Sequence, residues 1–235
     1  MALPLRHELK YRIDQAQYIV LANTLKGVLH LDKNAIRHGG SYHIRSLYFD
    51  TAFDDALYDK LSGVKDRDKY RIRIYNLSDR EIFMECKTKV GNLISKRSVQ
   101  IPKDMAEQII AGDPEGLEKT TSGLIRDVYR EMRTKLLHPV VIVDYQREAY
   151  LHPAEEVRIT FDKQLRSGLN SIDLFNPKVP TVPVLDGPDD IILEVKYNRV
   201  LPPYIRDVLS FACPDAVQVA VSKYTWCRRY EGKGE

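Results

Sequence analysis

Arginine, lysine and glutamate recur at every second position in several stretches of this sequence. Arg71 and Arg73 flank one isoleucine, and Glu85, Lys87 and Lys89 alternate with cysteine and threonine in a later stretch. Alternate residues of a β-strand point to the same side of a sheet, so each stretch predicts a strand with one charged face. Arginine forks and lysine ammonium groups held side by side on such a face have the chemistry that binds phosphate oxygens.

An antiparallel sheet with one face in water also alternates polar and apolar residues, and this is the commonest reason for the pattern. A solvated face, however, normally mixes serine, threonine and glutamine with the charged residues. Here six or more predicted strands carry arginine, lysine or glutamate at two or more alternate positions. This clustering favours a second arrangement, in which the strands close into a barrel and the charged positions line its interior.

The interior of such a barrel would contain many more cations than carboxylates. Its cations would be Lys10, Arg45, Arg71, Arg73, Lys87, Lys89, Lys96, Arg147, Arg158 and Lys196, and its carboxylates Glu8, Glu85 and Glu194. Two like charges about 4 Å apart repel by roughly 1 kcal/mol in water and by about 4 kcal/mol at an effective dielectric constant near 20, so this excess does not serve stability. It predicts a binding site for a polyanion, and the arginine forks favour a phosphate chain.

The three glutamates among these cations have two possible roles. A hard divalent cation such as Mg²⁺ or Mn²⁺ takes carboxylate oxygens from a protein and phosphate oxygens from a substrate, so Glu8, Glu85 and Glu194 are candidate metal ligands. A glutamate surrounded by lysine and arginine is also an ordinary salt-bridge partner. The pairing of Glu194 with Lys196 on a late strand favours the metal role for Glu194, whereas both roles stay open for Glu8 and Glu85.

About eight strands and several helices are needed to position these side chains. Period-two alternation predicts strands at 6–13, 41–50, 69–75, 81–89, 93–99, 139–150, 156–162 and 191–198. Apolar spacing predicts helices at about 15–29, 53–61, 103–112, 122–136, 203–211 and 222–231, and the proline-rich stretch 167–188 is predicted to be a long loop. The predicted fold class is α+β: an eight-stranded antiparallel β tunnel, closed as a barrel, with a basic interior and helices packed outside.

Composition narrows the classes of protein that fit. A chain of 235 residues with 43% hydrophobic residues predicts a single globular domain over 1–235. A net charge of +3 is too small to indicate nucleic-acid binding, and aromatic residues do not alternate with the basic ones as base stacking requires. No run approaches the roughly 18 apolar residues of a membrane segment, and no signal peptide is evident, so we expect a cytoplasmic protein. The three cysteines lack zinc or disulfide spacing.

Nine short motifs occur in a fixed order along the chain. They are His7-Glu8-Leu9-Lys10-Tyr11, Arg45-Ser46-Leu47-Tyr48-Phe49-Asp50, Arg71-Ile72-Arg73, Glu85-Cys86-Lys87-Thr88-Lys89, Ser95-Lys96-Arg97, Tyr145-Gln146-Arg147, Arg158-Ile159-Thr160-Phe161-Asp162, Leu193-Glu194-Val195-Lys196 and Ser222-Lys223-Tyr224. In this order they resemble the catalytic domain of the vacuolar transporter chaperone (VTC) family, over residues 6–231. That family belongs to the CYTH-related triphosphate tunnel metalloenzymes, and it includes polyphosphate polymerases that transfer the γ-phosphate of ATP onto a growing polyphosphate chain.

The resemblance implies a set of roles in phosphoryl transfer, with ATP and polyphosphate as ligands and Mn²⁺ or Mg²⁺ as the cofactor. The residues that would act on the triphosphate and the polymer are Lys10, Arg71, Arg73, Lys87, Lys96, Arg147 and Arg158. Further substrate-binding positions would be Arg45, Lys89, Tyr145, Lys196, Ser222 and Lys223, and the metal ligands would be Glu194, Glu8 and Glu85. A terminal phosphate oxygen of the chain would be the attacking group, so no serine, cysteine or histidine nucleophile is required.

The first strand departs from the wider superfamily in one position. Arg6 stands where the superfamily motif E-x-E-x-K has its first glutamate, while Glu8 and Lys10 match the rest. The change removes one potential metal ligand and so favours the polymerase over a simple triphosphatase. Two alternatives stay open: a triphosphatase of the same tunnel fold, which would transfer phosphate to water, and a polyphosphate-binding module without catalytic activity.

Overall fold

The computed structural model describes residues 5–152, 156–185, 187, 190–216, 218–220 and 222–233. The strands in this part of the chain are β1 (His7–Ile13), β2 (His30–Leu31), β3 (Tyr42–Asp50), β4 (Arg67–Tyr75), β5 (Ser78–Val90), β6 (Leu93–Gln100), β7 (His138–Leu151), β8 (Arg158–Ser167), β9 (Val182–Pro183) and β10 (Ile191–Tyr197). The helices are α1 (Gln15–Leu25), α2 (Lys33–Arg37), α3 (Asp55–Leu61), α4 (Lys103–Ile110), α5 (Gly123–Lys135), α6 (Pro203–Ala212) and α7 (Lys223–Tyr230), with a 3-10 turn at Leu117–Lys119.

Eight of the strands form one curled antiparallel sheet, a half-barrel, in the order β1-β10-β8-β7-β3-β4-β5-β6. The short strands β2 and β9 pair with β7 and β8. The two edge strands meet at one point, where the backbones of Arg6 and Ile94 exchange hydrogen bonds of 2.9 and 3.0 Å. The α+β class and the eight main strands confirm the sequence-based prediction, and closure of the barrel along its whole length stays a prediction.

Two tight turns set the register of the central hairpins. Asn76 and Leu77 have φ angles of 51° and 54° and form a two-residue connection between Tyr75 and Ser78, which suits the right-handed twist of a hairpin. This turn is shorter than the predicted loop, so β5 begins at Ser78 instead of residue 81. Gly91, with a φ of 58°, starts the second predicted turn, where glycine adopts the left-handed conformation without steric cost.

The apolar positions of the strands pack under helices on one side of the sheet. Ile72 and Met84 belong to one core with Val128 of α5 and residues of α4. A second core joins α1 and α6 to the opposite half of the sheet, where Leu25 packs with Phe161. Period-two alternation therefore identifies the helix-covered side correctly, because only that side buries every second residue against helices.

Helices α3 and α7 pack on the other side of the sheet, which corrects the prediction that the helices lie outside. Tyr224 and Cys227 of α7 share a core with Val143, Leu165 and Ile192. Val143 and Ile192 have the same parity as Arg147 and Glu194 on their strands, and the irregularity at Gln164 turns Leu165 to the same side, but at this end of the sheet the side chains are apolar. Because these apolar side chains would otherwise be exposed to water, they pack against α3 and α7.

Several boundaries differ from the sequence-based prediction. β8 continues to Ser167, past the predicted end at residue 162, because Gln164 adopts a φ of 53° and allows an irregularity within the strand. Helix α1 starts after Asp14 as predicted, with a capping box in which Asp14 and Gln17 exchange hydrogen bonds, but it ends at Leu25. No helix in the described part of the chain combines the length and the apolar character needed to cross a membrane.

Candidate active site

Charged side chains from seven strands and one helix meet on the side of the sheet that α1, α4, α5 and α6 leave uncovered. The pairing of neighbouring strands and the ion pairs between side chains bring these charged groups together. We call this set the charged cluster, and it consists of Glu8, Lys10, Lys69, Arg71, Arg73, Glu85, Lys87, Lys96, Arg147, Asp162, Glu194, Lys196 and Lys223. Nine of these residues are cations and four are carboxylates, so the cluster has a large positive excess.

Glu8 and Glu194 lie on the neighbouring strands β1 and β10 and share two lysines. Lys10 contacts Glu8 at 3.1 Å and Glu194 at 3.9 Å, and Lys196 contacts them at 3.6 and 2.8 Å. Lys87 also donates to both carboxylate oxygens of Glu8, at 2.7 and 2.9 Å. The two carboxylates are thus held close together by cations that a phosphate group could also attract.

The first turn of α7 positions a lysine beside Glu194. Ser222 caps the helix by accepting a hydrogen bond from the backbone of the third residue along. Lys223 Nζ then lies 2.6 Å from Asp162 Oδ2 and 2.6 Å from Glu194 Oε1. Arg147 binds Asp162 through two hydrogen bonds of 2.6 Å and lies 3.7 Å from Glu194, so cations approach Asp162 from β7 and from α7.

Arg71 is fixed on β4 by two neighbours. Its guanidinium contacts Glu85 at 2.6 and 2.8 Å and donates to the hydroxyl of Tyr48 at 2.8 Å. Glu85 also accepts from Lys96 at 2.6 Å. Two of the predicted phosphate-binding cations are therefore oriented by one buried carboxylate, without any ligand present.

Arg73 is held by hydroxyl groups from two other strands. Its Nε donates to Ser46 Oγ at 3.1 Å, and its NH2 group donates to the Tyr145 hydroxyl at 3.0 Å. Glu85 lies 3.7 Å away. Neutral partners of this kind orient the guanidinium while leaving much of its charge uncompensated, which suits an anion-binding role.

The carboxylates of the cluster are ionised. Burial alone would raise the pKa values of Glu8, Glu85 and Glu194, but the surrounding lysines and arginines lower all three well below the usual value. The pKa of Asp162 is lowered for the same reason, since Arg147 and Lys223 outweigh its burial. The oxygens of these groups are therefore available as ligands or ion-pair partners near neutral pH.

The donor set fits a divalent metal at Glu8 and Glu194. Mg²⁺ is usually held by one or two carboxylates together with phosphate oxygens of a substrate, and these two glutamates are the carboxylates that share lysines. In the described part of the chain, no three acidic, histidine or cysteine side chains are grouped as a metal site. Glu85 pairs instead with Arg71, Arg73 and Lys96, none of which contacts Glu8 or Glu194.

Arg45 lies away from the charged cluster, although the sequence placed it in the interior and among the substrate-binding residues. It alternates with Ser46, which contacts the cluster, and therefore points to the other side of β3. The residue is only 2% exposed, and its guanidinium binds Asp144 at 2.8 and 2.9 Å and the carbonyl oxygen of Asn176 at 2.6 Å. The structure assigns Arg45 to an ion pair under the loop that follows β8.

The remaining predicted residues lie at the borders of the cluster. Arg158 has the parity of Asp162 on β8, but its guanidinium is held by Asp32 at 2.7 Å and by Tyr42 at 3.2 Å. Tyr145 contacts the cluster through the hydrogen bond that its hydroxyl accepts from Arg73. The other two predicted positions are Ser222, whose Oγ accepts from Lys69 Nζ at 3.2 Å, and Lys89, which lies near the end of β5.

Sequence reasoning did not select Asp162, Tyr48 or Lys69 as site residues. Asp162 and Lys69 are each part of a period-two pattern with an arginine that was selected, so the alternation itself could have identified them. Tyr48 gave no such signal, because a tyrosine on a strand is ordinarily a packing residue. Its hydroxyl contact with Arg71 depends on the pairing of β3 with β4.

A comparison with protein-family models decides the relationship that the motifs indicate. The model of the VTC domain matches residues 5–230 of this chain. The chain belongs to the VTC domain family. No curated protein matches this VTC domain in sequence. The match confirms the resemblance inferred from the nine motifs.

Solved structures extend the relationship at the level of the fold. A proposed adenylyl cyclase from Hippeastrum with a dominant triphosphatase activity superposes on this VTC domain with a TM-score of 0.58 at 15% identity, covering 97% of this chain and 96% of its own. A proposed adenylate cyclase from Bacillus halodurans gives a TM-score of 0.51 at 14% identity, covering 91% and 90%. At these identities the likeness establishes a shared fold.

Proposed function

We propose that this VTC domain is a divalent-metal-dependent polyphosphate polymerase that transfers the γ-phosphate of ATP onto a growing chain of inorganic polyphosphate. The observation that carries the proposal is the positive excess of the charged cluster in a chain of the VTC family. Nine cations around four carboxylates repel one another unless an anion of high charge lies among them. ATP and polyphosphate are such anions, and both present rows of phosphate oxygens.

The barrel interior is the path that we propose for the chain. Arg6 and Ile94 join the two edges of the sheet at one point, and closure beyond that point would place the charged cluster inside a basic tunnel. A tunnel excludes water, which strengthens each contact between a fixed cation and a phosphate oxygen. It would also hold an extended chain in line with the reacting phosphate.

Positioning and charge neutralisation are most of what phosphoryl transfer requires from a protein. Arg71 and Arg73 would bind the oxygens of the transferred γ-phosphoryl group, since Glu85, Ser46 and Tyr145 already orient their guanidinium groups. A terminal oxygen of the polyphosphate chain attacks the γ-phosphorus, and the bond from that phosphorus to the β–γ bridging oxygen breaks. ADP leaves with the bridging oxygen, and the chain is one phosphate longer.

Glu194 and Glu8 would hold the metal ion. A bound Mg²⁺ or Mn²⁺ neutralises charge on the phosphate oxygens of ATP. In this chain the two carboxylates are kept ionised and near each other by Lys10 and Lys196. When the triphosphate binds, these lysines can contact phosphate oxygens and leave the carboxylate oxygens to the metal.

A triphosphatase is the second candidate function, because the Hippeastrum protein of the same fold has a dominant triphosphatase activity. The reaction would then use water as the acceptor. The two functions differ in the fate of the phosphate: a polymerase releases ADP without orthophosphate, whereas a triphosphatase acting on ATP releases both in equal amounts.

The ratio of orthophosphate to ADP therefore tests the proposal. We would incubate the purified protein with ATP and Mn²⁺ or Mg²⁺, with and without a short polyphosphate primer. The proposal predicts ADP with little orthophosphate and faster ADP release when primer is present. Equal amounts of ADP and orthophosphate, with or without primer, would establish the triphosphatase, and binding of polyphosphate without ADP release would indicate a non-catalytic module.

A further inference from the structure

The ladder between β4 and β5 ends in two consecutive pairs of like charges. Arg67 lies directly opposite Lys89, and Lys69 lies directly opposite Lys87, on the side of the sheet that carries Arg71. Side chains at opposite positions have Cβ atoms about 4.5–5.5 Å apart, and like charges there destabilise a sheet. The next pair along the ladder has opposite charges, so the repulsion is confined to this end.

Of the four cations in these two pairs, Lys87 alone forms an ion pair in the described part of the chain, with Glu8 at 2.7 Å. Among the described residues, Arg67, Lys69 and Lys89 form no ion pair. Lys69 Nζ instead lies 3.2 Å from Ser222 Oγ and 4.6 Å from the centre of the Tyr224 ring. The positive charge is therefore left for a ligand.

Two acidic residues nearby, Asp59 of α3 and Asp50 of β3, attract Arg67 and Lys69 without forming an ion pair with them in the described part of the chain. Asp66 and Asp68 alternate with Arg67 along the chain, and they accept hydrogen bonds from the Gly91 backbone and the Thr88 hydroxyl. Together with Asp59, Arg67 and Lys89 they line a cavity of about 410 Å³ between the sheet, α3 and α5. The alternation places Asp68 on the opposite face of β4 from Arg67 and Lys69, and these two cations share the face of Arg71.

Lys60, in the last turn of α3, adds a fourth cation to this end. Burial, followed by the charges of Arg67 and Lys10, lowers the pKa of Lys60. The same causes in the same order lower the pKa of Lys69 well below its usual value, and Lys89 shows a shift in the same direction. Because α3 packs against β4, and Arg67 lies opposite Lys89 and next to Lys69 on one face of the ladder, the four cations share this end of the sheet.

We infer that Lys60, Arg67, Lys69 and Lys89, which we call the rim cations, form a binding site for the part of a phosphate chain that extends beyond the reacting triphosphate. At about 3.3 Å per residue, Arg67 lies about 13 Å along β4 from Arg71, which is farther than a triphosphate bound at Arg71 extends. The inference rests on the proposed function, since it takes a phosphate chain as the ligand of the charged cluster.

Binding at two chain lengths tests the rim separately from the reaction. We would measure the affinity of tripolyphosphate and of a long polyphosphate for the whole protein without ATP, over a range of salt concentrations. The test variant is Lys60→Ala/Arg67→Ala, and the matched control is Lys119→Ala/Lys178→Ala, which removes two exposed lysines elsewhere. Arg67→Ala alone serves as a second variant, and the melting temperature reports folding.

The expected result separates the two ligands. The rim variant should bind the long chain on the order of tenfold more weakly, with a salt slope shallower by about one to two, because each cation–phosphate contact releases bound counterions. Tripolyphosphate should bind the rim variant and the control about equally. The melting temperature should be unchanged or higher, since the substitutions remove repulsion between like charges.

Four results would overturn the inference. If the rim variant still bound tripolyphosphate and its affinity for the long chain were unchanged, the rim cations would not be a binding site for the chain. The proposed function would be unaffected. Equal losses for both ligands would place these residues in the triphosphate site itself. Single-stranded DNA bound as tightly as polyphosphate, with the same loss in the variant, would indicate a nucleic-acid site. Binding of neither polyphosphate to the unaltered protein would contradict the proposed function as well.

Discussion

Arg71 and Arg45 each bind a carboxylate, yet they lie on opposite faces of the sheet. Arg71 belongs to the charged cluster, and its fork would contact phosphate oxygens. We expect Arg71→Lys to lower kcat/KM for ATP on the order of a hundredfold, because lysine keeps the charge but loses the bidentate geometry. ADP release measured at several ATP concentrations gives this number, and circular dichroism checks that the fold is retained.

Arg45→Lys is the matched substitution on the other face. A lysine there cannot keep the contacts with both Asp144 and the carbonyl oxygen of Asn176, so we expect a lower melting temperature. Activity per folded molecule should stay near that of the unaltered protein. If Arg45→Lys lost as much activity as Arg71→Lys at a temperature where both variants are folded, Arg45 would belong to the active site.

Glu194 and Glu85 have different partners and should respond differently to loss of charge. Glu194→Gln should raise the Mn²⁺ concentration needed for half-maximal activity on the order of tenfold, since it removes a proposed ligand oxygen. Glu85→Gln should lower activity by releasing Arg71 and Lys96, with little change in the Mn²⁺ requirement. A metal titration of ADP release measures both. Equal shifts would show that Glu85 also binds metal.

The face of β3 on which Arg45 lies could not be predicted from the sequence. Polar residues at 43 and 45 suggested that this parity of β3 faces the charged interior. The opposite parity carries Ser46 and Tyr48, which contact the two cluster arginines. The partner that decides the face of Arg45 is Asp144, 99 residues away in sequence, and local alternation carries no information about such a partner.

At the scale of elements, α7 connects the apolar end of the sheet to the charged cluster. Its Tyr224 hydroxyl donates to Asp50, which also accepts from the backbones of Ala56 and Leu57 in α3. One carboxylate thus ties α7 to α3. Because α7 carries Lys223 into the cluster, the same contact helps to position that lysine.

Tyr224→Phe should therefore lower the free energy of unfolding by about 1.5–3 kcal/mol, since it removes a buried hydrogen bond to a charged group. It should also lower activity in the folded protein by misplacing Lys223. Denaturant unfolding and ADP release measure the two effects. Tyr230→Phe, on the same helix but exposed, should change neither, and similar losses in both variants would contradict this role for Tyr224.

The elements that the sequence predicted best are those specified locally. The central strands alternate clearly, and the turn at Gly91 and the cap at Asp14 require particular residues. The position of α7 was not predictable, because its apolar residues could equally pack outside the sheet with the other helices. Its placement depends on which strand ends are apolar, and that follows only from the assembled sheet.

For the whole molecule, a phosphate ligand should relieve the repulsion within the charged cluster. Tripolyphosphate at 100 times its Kd would stabilise the fold by about 2.7 kcal/mol. At about 2–4 °C per kcal/mol for a chain of this size, the melting temperature should rise by about 5–11 °C. Thermal unfolding with and without ligand tests this. Sodium sulfate at matched ionic strength is the control, and an equal rise with sulfate would indicate a general salt effect.

Acid should destabilise the fold in part through Glu148, on the helix-covered side of β7. Burial raises its pKa, but hydrogen bonds from Lys163, Tyr150 and Tyr18 outweigh burial and lower it. Because the pKa of Glu148 is lowered in the folded protein, its ionised carboxylate stabilises the fold at pH values above its ordinary pKa near 4.5. This stabilisation is lost as the pH falls through the lowered pKa.

Glu148→Gln should therefore show a flatter decline of melting temperature than the unaltered protein between about pH 5 and pH 3. Glu107→Gln, at an exposed position, is the matched control and should follow the unaltered protein. Melting curves over this range supply the comparison. A decline in Glu148→Gln as steep as that of the control would exclude this contribution.

Transfer of the γ-phosphate of ATP to a phosphate chain at the charged cluster can be observed directly. The most direct measurement follows the phosphorus NMR spectrum of ATP, metal and a short polyphosphate primer incubated with the protein and, separately, with Arg71→Ala. We expect growth of the signal of internal chain phosphates together with ADP, and loss of both in the variant. Orthophosphate as the only new phosphate signal, or chain growth that persists in Arg71→Ala, would contradict it.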